Sequence, residues 1–553
     1  MNVAQCVGAT LARLGVSHVF GVVGSGNFHL TNAMVAAGAR FVAARHEGGA
    51  TTMADAYARM SGSVCAVSVH QGCGFTNTLT GLAEAAKSRT PMVVLAADVT
   101  DARSNFAVDQ DALAVAVGAV PLRIGVAGDA SAVTRQAFHI ARDERRTVVL
   151  NVPLAVQADD VSAELTDVVD PALPAPSAAA GPHDAVPDRF GDLVEALRRA
   201  ERPVFVAGRG ARGPGCRTAL EQLAQATGAL LATSAVAKGL FHDNPWSLDV
   251  AGGFSSPLAA ELIGAADLIV GWGCVLNHWT MRHGTLIAPD AVVVQVDLDP
   301  SAIGRHRHVH IGVVGDVHEV AVDALERLGG RTRRGYRTEQ QKEEIATRVR
   351  WRDVPYDDLS TGDHIDPRTL TIRLDDLLPR ERVVGVDSGN FMGYPSMFLS
   401  VPDEFGFCFT QAFQSIGLGL STAIGAALAQ PGRLPVAALG DGGGLMGVAE
   451  LETVVRLGLP MVVIVYNDDG YGAEFHHFRP GGDDLSTVRF PPTDIAAIGR
   501  GFGFEAVTVR READMAAVRD WVSGDRRRPL LIDAKVTNDQ PSWWLEEAFR
   551  ASH

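Results

Sequence analysis

GDGGGLMGVAELETVVRLGLPMVVIVYNDDGYG, residues 440–472, is the stretch of sequence that decides the fold. It opens at the end of one apolar run, LPVAALGD (434–441), and contains a second, MVVIVYN (461–467); both are typical of buried strands. Between them lies a pattern of helical period that ends at Gly458-Leu459-Pro460 and places five apolar residues inward: Met446, Ala449, Leu451, Val454 and Val455. Strand, helix and strand with short connections predict a right-handed parallel crossover.

Acidic residues and glycines follow the two predicted strands. The carboxyl ends of neighbouring parallel strands lie side by side, and open parallel sheets bind ligands there. We therefore expect Asp441 and Asp468 to lie about one strand spacing, roughly 5 Å, apart. The glycines at 442–444 leave backbone N–H groups open to a phosphate. Because Mg²⁺ prefers a few carboxylates with phosphate oxygens and water, the sequence predicts a magnesium diphosphate site.

This stretch resembles the diphosphate motif of thiamine-diphosphate (ThDP) enzymes, in which GDG is followed after a fixed interval by an Asn-rich turn. Here 27 positions separate Asp441 from Asp468, and Asp468 stands where family members often carry Asn. The substitution keeps the capacity to bind a metal. The resemblance implies that Asp441, Asp468 and the main-chain carbonyl of Gly470 bind Mg²⁺. It also implies cofactor contacts from six further residues: Asp387, Ser388, Gly389, Gly442, Gly443 and Tyr471.

A second motif, FVAARHEGGATTMADAYARMSG (41–62), lies near the N-terminus. It predicts a strand that enters a helix with five residues inward: Ala50, Met53, Ala54, Tyr57 and Ala58. Glu47 at the junction resembles the glutamate that ThDP enzymes hold against the pyrimidine N1′ of the cofactor. The resemblance implies that this carboxyl shares a proton with N1′ and so promotes the reactive ylid. Taken alone, Glu47 could equally be an acid that stabilises the start of a helix.

A third segment, QAFQSIGLGLSTAIGAALA (411–429), is typical of the start of a helix that is interrupted by glycines. It resembles the family segment whose bulky apolar residue wedges between the cofactor rings and bends them. By position that residue is Ile416, and the carbonyl of Gln414 would accept a hydrogen bond from the 4′-amino group. The alternative interpretation is that Ile416 is an ordinary core residue.

Composition limits the class of protein. The chain has 553 residues and a formal net charge of −15, without a basic stripe, which argues against nucleic acid as a partner. No apolar run approaches the 18 or so residues of a membrane span, and the N-terminus lacks the pattern of a signal peptide. The six cysteines are scattered without paired spacing. We expect a cytoplasmic protein without a membrane partner.

Two segments mark the boundaries between predicted domains. Residues 170–187 form a Pro- and Ala-rich linker, and residues 331–367 begin as an exposed helix and end at an N-cap and first-turn pair, Asp366-Pro367. The blocks 1–165, 188–330 and 366–540 each alternate strands and helices, which predicts an α/β protein of three doubly wound parallel-sheet domains. The resemblance makes them the pyrimidine-binding, central and diphosphate- and Mg-binding domains of the acetolactate synthase and decarboxylase branch.

The central block contains a glycine pattern that imitates a nucleotide site. VFVAGRGARGPG (204–215) matches G-x-G-x-x-G after a strand, but the next predicted strand, ALLATSAV (229–236), has no acid at its end. Some branches of the family bind FAD or ADP in this domain and others bind nothing. The sequence favours a central domain without FAD.

Three residues indicate the reaction. His70 lies in SVHQGCGFTN, Ser25 in GVVGSGN and His278 in GWGCVLNHW, and their kinds and spacing resemble the site of benzoylformate decarboxylases. The resemblance implies decarboxylation of a 2-oxo acid through a ylid and an enamine, with one histidine holding the carboxylate and the other protonating the enamine. The plainer alternative is that both histidines only satisfy hydrogen bonds in the core.

Two other functions stay open. In an acetolactate-synthase-like carboligase the enamine attacks a second carbonyl, and Gln110 and Phe106 would line the acceptor pocket. A non-catalytic ThDP-binding protein is the more remote alternative, because Glu47, Asp441 and Ile416 are all present. For the decarboxylase and the carboligase alike, the resemblance implies a homodimer or homotetramer. Its active sites lie at the interface, with the first block of one subunit against the third block of another.

Overall fold

Three α/β units, each built on a six-stranded parallel sheet, make up the part of the chain that the structure describes. The structure is a computed structural model that describes residues 1–161, 189–330 and 333–549. The predicted fold class is thereby confirmed. The predicted linker at 170–187 lies outside the described residues. Within the described ranges, no helix is both long and apolar enough to cross a membrane.

The first unit has the strand order β2-β1-β3-β4-β6-β5. Its strands are β1 (His18–Gly21), β2 (Arg40–Ala43), β3 (Cys65–Val69), β4 (Met92–Asp98), β5 (Val120–Arg123) and β6 (Thr147–Pro153). Its helices are α1 (Val3–Arg13), α2 (Phe28–Ala36), α3 (Glu47–Ser61), α4 (Cys73–Thr76), α5 (Leu79–Lys87), α6 (Gln110–Ala116), α7 (Ala130–Asp143) and α8 (Leu154–Gln157). The strands β3, β4 and β6 are buried throughout, as expected for the centre of a sheet covered on both faces.

The second unit has the order β12-β11-β10-β7-β8-β9. Its strands are β7 (Pro203–Ala207), β8 (Leu230–Thr233), β9 (Ser247–Val250), β10 (Leu268–Trp272), β11 (Val292–Asp297) and β12 (Ile311–Val314). Its helices are α9 (Phe190–Arg199), α10 (Cys216–Thr227), α11 (Pro257–Gly264) and α12 (Val317–Leu328); α13 (Glu339–Arg348) follows as the link to the third unit.

The third unit has the order β14-β13-β15-β16-β18-β17. Its strands are β13 (Arg382–Val386), β14 (Phe407–Phe409), β15 (Leu434–Gly440), β16 (Val462–Asn467), β17 (Glu505–Val509) and β18 (Leu530–Lys535). Its helices are α14 (Pro367–Leu377), α15 (Gly393–Phe398), α16 (Gly419–Ala429), α17 (Asp441–Met446), α18 (Glu450–Arg456), α19 (Gly472–Phe478), α20 (Ile495–Phe502), α21 (Ala516–Ser523) and α22 (Trp543–Phe549). The predicted cap at Asp366 is confirmed, because its side chain accepts from the N–H of Arg368 (2.8 Å).

The first and third units share one hydrophobic core. The five residues of α3 that the sequence predicts to face inward are all buried. Another side of α3 packs along α16, and the two helices approach so closely that a Cβ at Gly425 would overlap the carbonyl oxygen of Met53. Ala56 and Met60 of α3 are buried against residues of the third unit such as Ala426. The two units therefore form one packed body within a single chain.

The crossover between β15 and β16 contains two helices instead of the single predicted one. Helix α17 ends at Met446, the C-cap residue Gly447 has a low helix propensity that favours the break, and α18 begins at Glu450. Met446 is 57% exposed and Ala449 is also exposed, so their predicted burial is wrong. Leu451 is buried as predicted. The restart changes the helical register, so that the Glu450 side chain also turns inward.

Candidate active site

Two carboxylates meet at the carboxyl edge of the third sheet. Strands β15 and β16 are parallel neighbours with Gly440 opposite Tyr466, so Asp441 and Asp468 follow adjacent strand ends, as the sequence predicts. Their carboxyl groups lie within hydrogen-bonding reach of each other, and Asp441 is only 6% exposed. The N–H of Gly470 donates to Asp441 Oδ2 (3.0 Å) and fixes the turn that follows β16.

The charges of this pair favour a cation. Burial raises the pKa of Asp441 to about 6. Burial and the Asp441 carboxylate together raise the pKa of Asp468 well above its usual value. A divalent cation would offset both the burial of the carboxylates and their mutual repulsion. Mg²⁺ that binds a diphosphate is commonly held by one or two protein carboxylates. Within the described ranges no group of three or more His, Cys, Asp or Glu side chains could hold a metal, so further ligands would be main-chain, phosphate or water oxygens.

The glycines of α17 leave a cradle beside the pair. Helix α17 begins at Asp441, and its first backbone N–H groups have no intrahelical partner. A Cβ at Gly442 would lie 2.6 Å from the ring of Tyr471, and a Cβ at Gly443 would overlap Asp387 Oδ2. Only glycine therefore fits both positions, and the space suits a phosphate close to the backbone.

Asp387 holds the neighbouring loop. It follows β13, and its carboxylate accepts from the N–H of Ser388 (2.8 Å) and from the N–H of Gly417 (3.0 Å). Complete burial raises its pKa to about 6. Ser388 and Gly389 line the cavity described below, whereas Asp387 acts from behind it. The predicted contact of Asp387 with the cofactor stays a prediction.

Gln414 and Ile416 lie in a loop, since α16 begins only at Gly419. This loop, residues 410–418 between β14 and α16, is called the cofactor loop below. Gln414 has φ +62°, a left-handed conformation that costs a residue other than glycine about 1 kcal/mol or more. Ile416 is only partly buried, so it is not an ordinary core residue. A strained residue beside a cavity is typical of a functional site.

One cavity of about 950 Å³ connects these features. The predicted residues that line it are Ser388, Gly389, Gln414, Ile416, Asp441, Gly442, Gly443, Asp468, Gly470 and Tyr471. The cavity continues to the central unit, where it is lined by Asp297, Asp299 and Arg305, which are not among the residues predicted from the sequence. The signal was present in VVVQVDLDP, because Asp297 ends β11 and Asp299 follows it, at a carboxyl edge like the one that Asp441 occupies after β15. The absence of FAD from this unit stays a prediction.

A second group of predicted residues lies together on the first unit. Ser25 Oγ is 3.5 Å from His70 Nε2, and the His70 ring is 5.1 Å from that of Phe106. Glu47 starts α3 and accepts from Asn77 Nδ2 (3.0 Å). A Cβ at Gly74 would lie 2.9 Å from the Cβ of His70 and 3.4 Å from Glu47 Oε1, so the residues border one surface. Ser25, Glu47 and His70 do not line the 950 Å³ cavity of their own chain.

Two other predicted residues lie elsewhere. His278 is exposed in the central unit, with its ring 5.8 Å from that of His283, and no described contact joins it to Ser25 or His70. Gln110 is 1% exposed and its amide is fully used: it accepts from Gly72 N and donates to Ala97 O and to Asn151. The prediction that Gln110 lines an acceptor pocket is therefore wrong. Phe106, in contrast, is 43% exposed.

Comparison with known proteins covers all three units. Residues 1–116 match the family model "Thiamine pyrophosphate enzyme, N-terminal TPP binding domain", residues 191–325 the central domain, and residues 387–534 the C-terminal TPP binding domain. A sulfoacetaldehyde acetyltransferase of Castellaniella defragrans is 26% identical, over 98% of this chain and 94% of the relative. An acetolactate synthase large subunit of Parasynechococcus marenigrum is 28% identical, over 95% and 86%. A probable acetolactate synthase large subunit of Methanococcus aeolicus is 25% identical, over 97% and 92%.

The three domain matches follow the order of the three sheets, and the acidic pair, Glu47 and the glycine cradle lie in the two units that match the cofactor-binding domains. The chain therefore belongs to the thiamine-diphosphate enzymes of the acetolactate synthase and decarboxylase family.

Proposed function

We propose that this protein is a ThDP- and Mg²⁺-dependent carboligase, which breaks the C–C bond beside the carbonyl of a 2-oxo acid and passes the acyl carbanion to a second carbonyl compound. The observation that carries the proposal is the buried Asp441–Asp468 pair, which opens into a cavity of about 950 Å³. This volume is near the upper end of small-molecule sites, which suits a cofactor with two substrates. The names of the relatives, synthase and acetyltransferase, support transfer over simple decarboxylation.

The third unit would hold the cofactor. Bound thiamine diphosphate supplies a carbon nucleophile at thiazolium C2 and an electron sink for the developing carbanion. Asp441 and Asp468, with the Gly470 carbonyl, would bind Mg²⁺. The backbone N–H groups at Gly442 and Gly443 would bind the diphosphate. The Gln414 carbonyl would accept from the 4′-amino group, and the Ile416 side chain would separate the two rings.

The first unit of a second subunit would complete the site. Glu47 would exchange a proton with the pyrimidine N1′. Because Ser25, Glu47 and His70 border a surface of the first unit outside the cavity of their own chain, we infer a homodimer or homotetramer that places this surface over the cavity of the partner. The exposed ring of Phe106 would then cover the reacting atoms and exclude water from them.

Decarboxylation that ends in protonation is the second candidate. The Ser25–His70 pair favours it, because an imidazole in contact with a hydroxyl can act as a general acid toward a bound carbanion. His278 would join this pair only from another subunit, so the benzoylformate-decarboxylase-like constellation remains a proposal.

The test is to incubate protein, ThDP and Mg²⁺ with a panel of 2-oxo acids, with and without a second oxo acid or an aldehyde. We expect carbon dioxide release together with a hydroxyketone or hydroxy-oxo acid whose yield rises with acceptor concentration. Release of free aldehyde in equal amount to carbon dioxide, at a rate that does not depend on the acceptor concentration, would favour the decarboxylase. No carbon dioxide from any 2-oxo acid, despite tight cofactor binding, would refute both.

A further inference from the structure

The cofactor loop is held from outside its own unit. Ala412 and Phe413 near its start donate their backbone N–H groups to Glu84 of α5, at 3.0 Å to Oε1 and 2.6 Å to Oε2. Both carboxylate oxygens of one side chain in the first unit thus fix two consecutive residues of the third. Gln414 follows immediately.

Glu84 is itself rigidly placed. It is completely buried, and Arg59 of α3 donates to its Oε1 (2.8 Å) while also binding Asp55 (2.6 Å). Burial alone would raise the pKa of Glu84, but the Arg59 guanidinium and the N–H groups of Phe413 and Ala412 lower it below its usual value. Arg59 also donates to the carbonyl of Phe409 (3.0 Å), the last residue of β14. The buried charges therefore hold the end of β14 and two consecutive residues of the loop.

The far end of the loop has its own anchor, the carboxylate of Asp387, which accepts from Gly417. Only Gln414, Ser415 and Ile416 lie between the two anchors. Gln414 keeps its left-handed conformation there, and a strained conformation persists only when its surroundings determine it. Releasing one anchor would let Gln414 relax toward ordinary backbone angles. Its carbonyl and the Ile416 side chain would then move together.

We propose that Glu84, held by Arg59, is a positioning residue that sets the place of the Gln414 carbonyl and the Ile416 side chain against the cofactor. It acts through the loop and touches neither cofactor nor substrate. This inference rests on the proposed function, since it takes the loop to face bound ThDP. A displacement of about 1 Å at such a contact can lower a rate by roughly 10²-fold, even when binding at the diphosphate end is intact.

The test compares Glu84→Gln with wild type and with Glu452→Gln. Glu452 is a fair control because it also binds an arginine of the first unit, Arg45 (2.6 Å), but at the surface and away from the loop. In the cofactor-free protein we expect amide hydrogen exchange of residues 410–418 to be at least ~10-fold faster in Glu84→Gln. In the loaded protein we expect C2 proton exchange of ThDP, followed by NMR, to be at least ~10-fold slower. Affinity for ThDP should change less than about 3-fold, and Glu452→Gln should resemble wild type.

Unchanged loop exchange and unchanged C2 exchange in a folded Glu84→Gln would overturn the proposal. So would parallel losses of ThDP affinity, C2 exchange and thermal stability, because these indicate a purely structural role. If Glu84→Gln does not fold, Glu84→Asp replaces it, because aspartate keeps both carboxylate oxygens on a shorter side chain. We expect the same changes in loop exchange and C2 exchange, but of smaller magnitude. Wild-type behaviour of Glu84→Asp would count against the proposal. If the wild-type protein binds no ThDP, the proposed function and this inference are both refuted. If wild type exchanges the C2 proton of ThDP normally and Glu84→Gln exchanges it at the same rate, only the positioning role is refuted.

Discussion

Two inactive variants should restore each other if the active site is shared between subunits. Glu47→Gln removes the proton partner on the first unit, and Asp441→Ala removes a metal ligand on the third. Within one chain the Glu47 carboxylate binds Asn77 and lies outside the cavity that Asp441 lines. We therefore expect Glu47 of one subunit to work with Asp441 of its partner.

The size of the recovery follows from the arrangement of the sites. Equal amounts of the two variants, freely exchanged, give heterodimers as half of all dimers. Each heterodimer has one site with both changes and one site that is wholly wild type. One quarter of all sites are then intact, so the mixture should reach about 25% of wild-type activity. A tetramer built from such dimers gives the same fraction. Each variant alone should stay at or below about 1%, the usual scale for a lost acid–base partner.

The assay measures carbon dioxide from the preferred 2-oxo acid before and after subunit exchange, with mixed oligomers verified by native mass spectrometry of differently tagged chains. Exchange between two preparations of Glu47→Gln is the control and should give no gain. Activity that stays near 1% in a sample with verified heterodimers would show that each site is built within one chain.

Three further variants test the parts of the site separately. Asp441→Ala should abolish metal-dependent ThDP binding, as should removal of Mg²⁺ by a chelator from wild type; micromolar affinity without metal, seen by titration, would contradict the metal assignment. Glu47→Gln should leave ThDP affinity nearly intact but lower turnover at least ~10²-fold, so wild-type turnover in the folded variant would exclude the proton role. Gly443→Ala brings a methyl against Asp387 and should weaken ThDP binding by about 1–3 kcal/mol, or roughly 5- to 150-fold in Kd. Gly444→Ala, whose new Cβ has neighbours no nearer than 3.6 Å, is its matched control, and equal losses in both would refute the cradle.

The parts of the site that follow from strand periodicity could be predicted from the sequence. Asp441 and Asp468 come together because each directly follows a buried strand of one crossover, and Glu47 is placed by the start of an apolar-patterned helix. The fold class followed from the same alternation of strands and helices. Met446 was misplaced because the pattern does not show where a glycine interrupts a helix.

Contacts between distant segments could not be predicted. Glu84 and Ala412 lie 328 positions apart, and no spacing or motif links an acid in one helix to N–H groups in a loop of another unit. Gln110 matched the chemistry of an acceptor pocket, but its amide is used entirely by neighbouring loops and strands. Such partners depend on tertiary packing, which residue patterns along one element do not contain.

The core shared by α3 and α16 has a consequence for synthesis on the ribosome. Ala56 and Met60 are covered by residues such as Ala426, which is synthesised about 370 residues later, or roughly 20 to 70 seconds later at about 5–20 residues per second. During that interval the first unit presents an apolar helix face with nothing to cover it. The nascent chain would then need a chaperone or rapid completion to avoid aggregation. Expression of the first unit alone should accordingly give protein that aggregates, although its own sheet is complete.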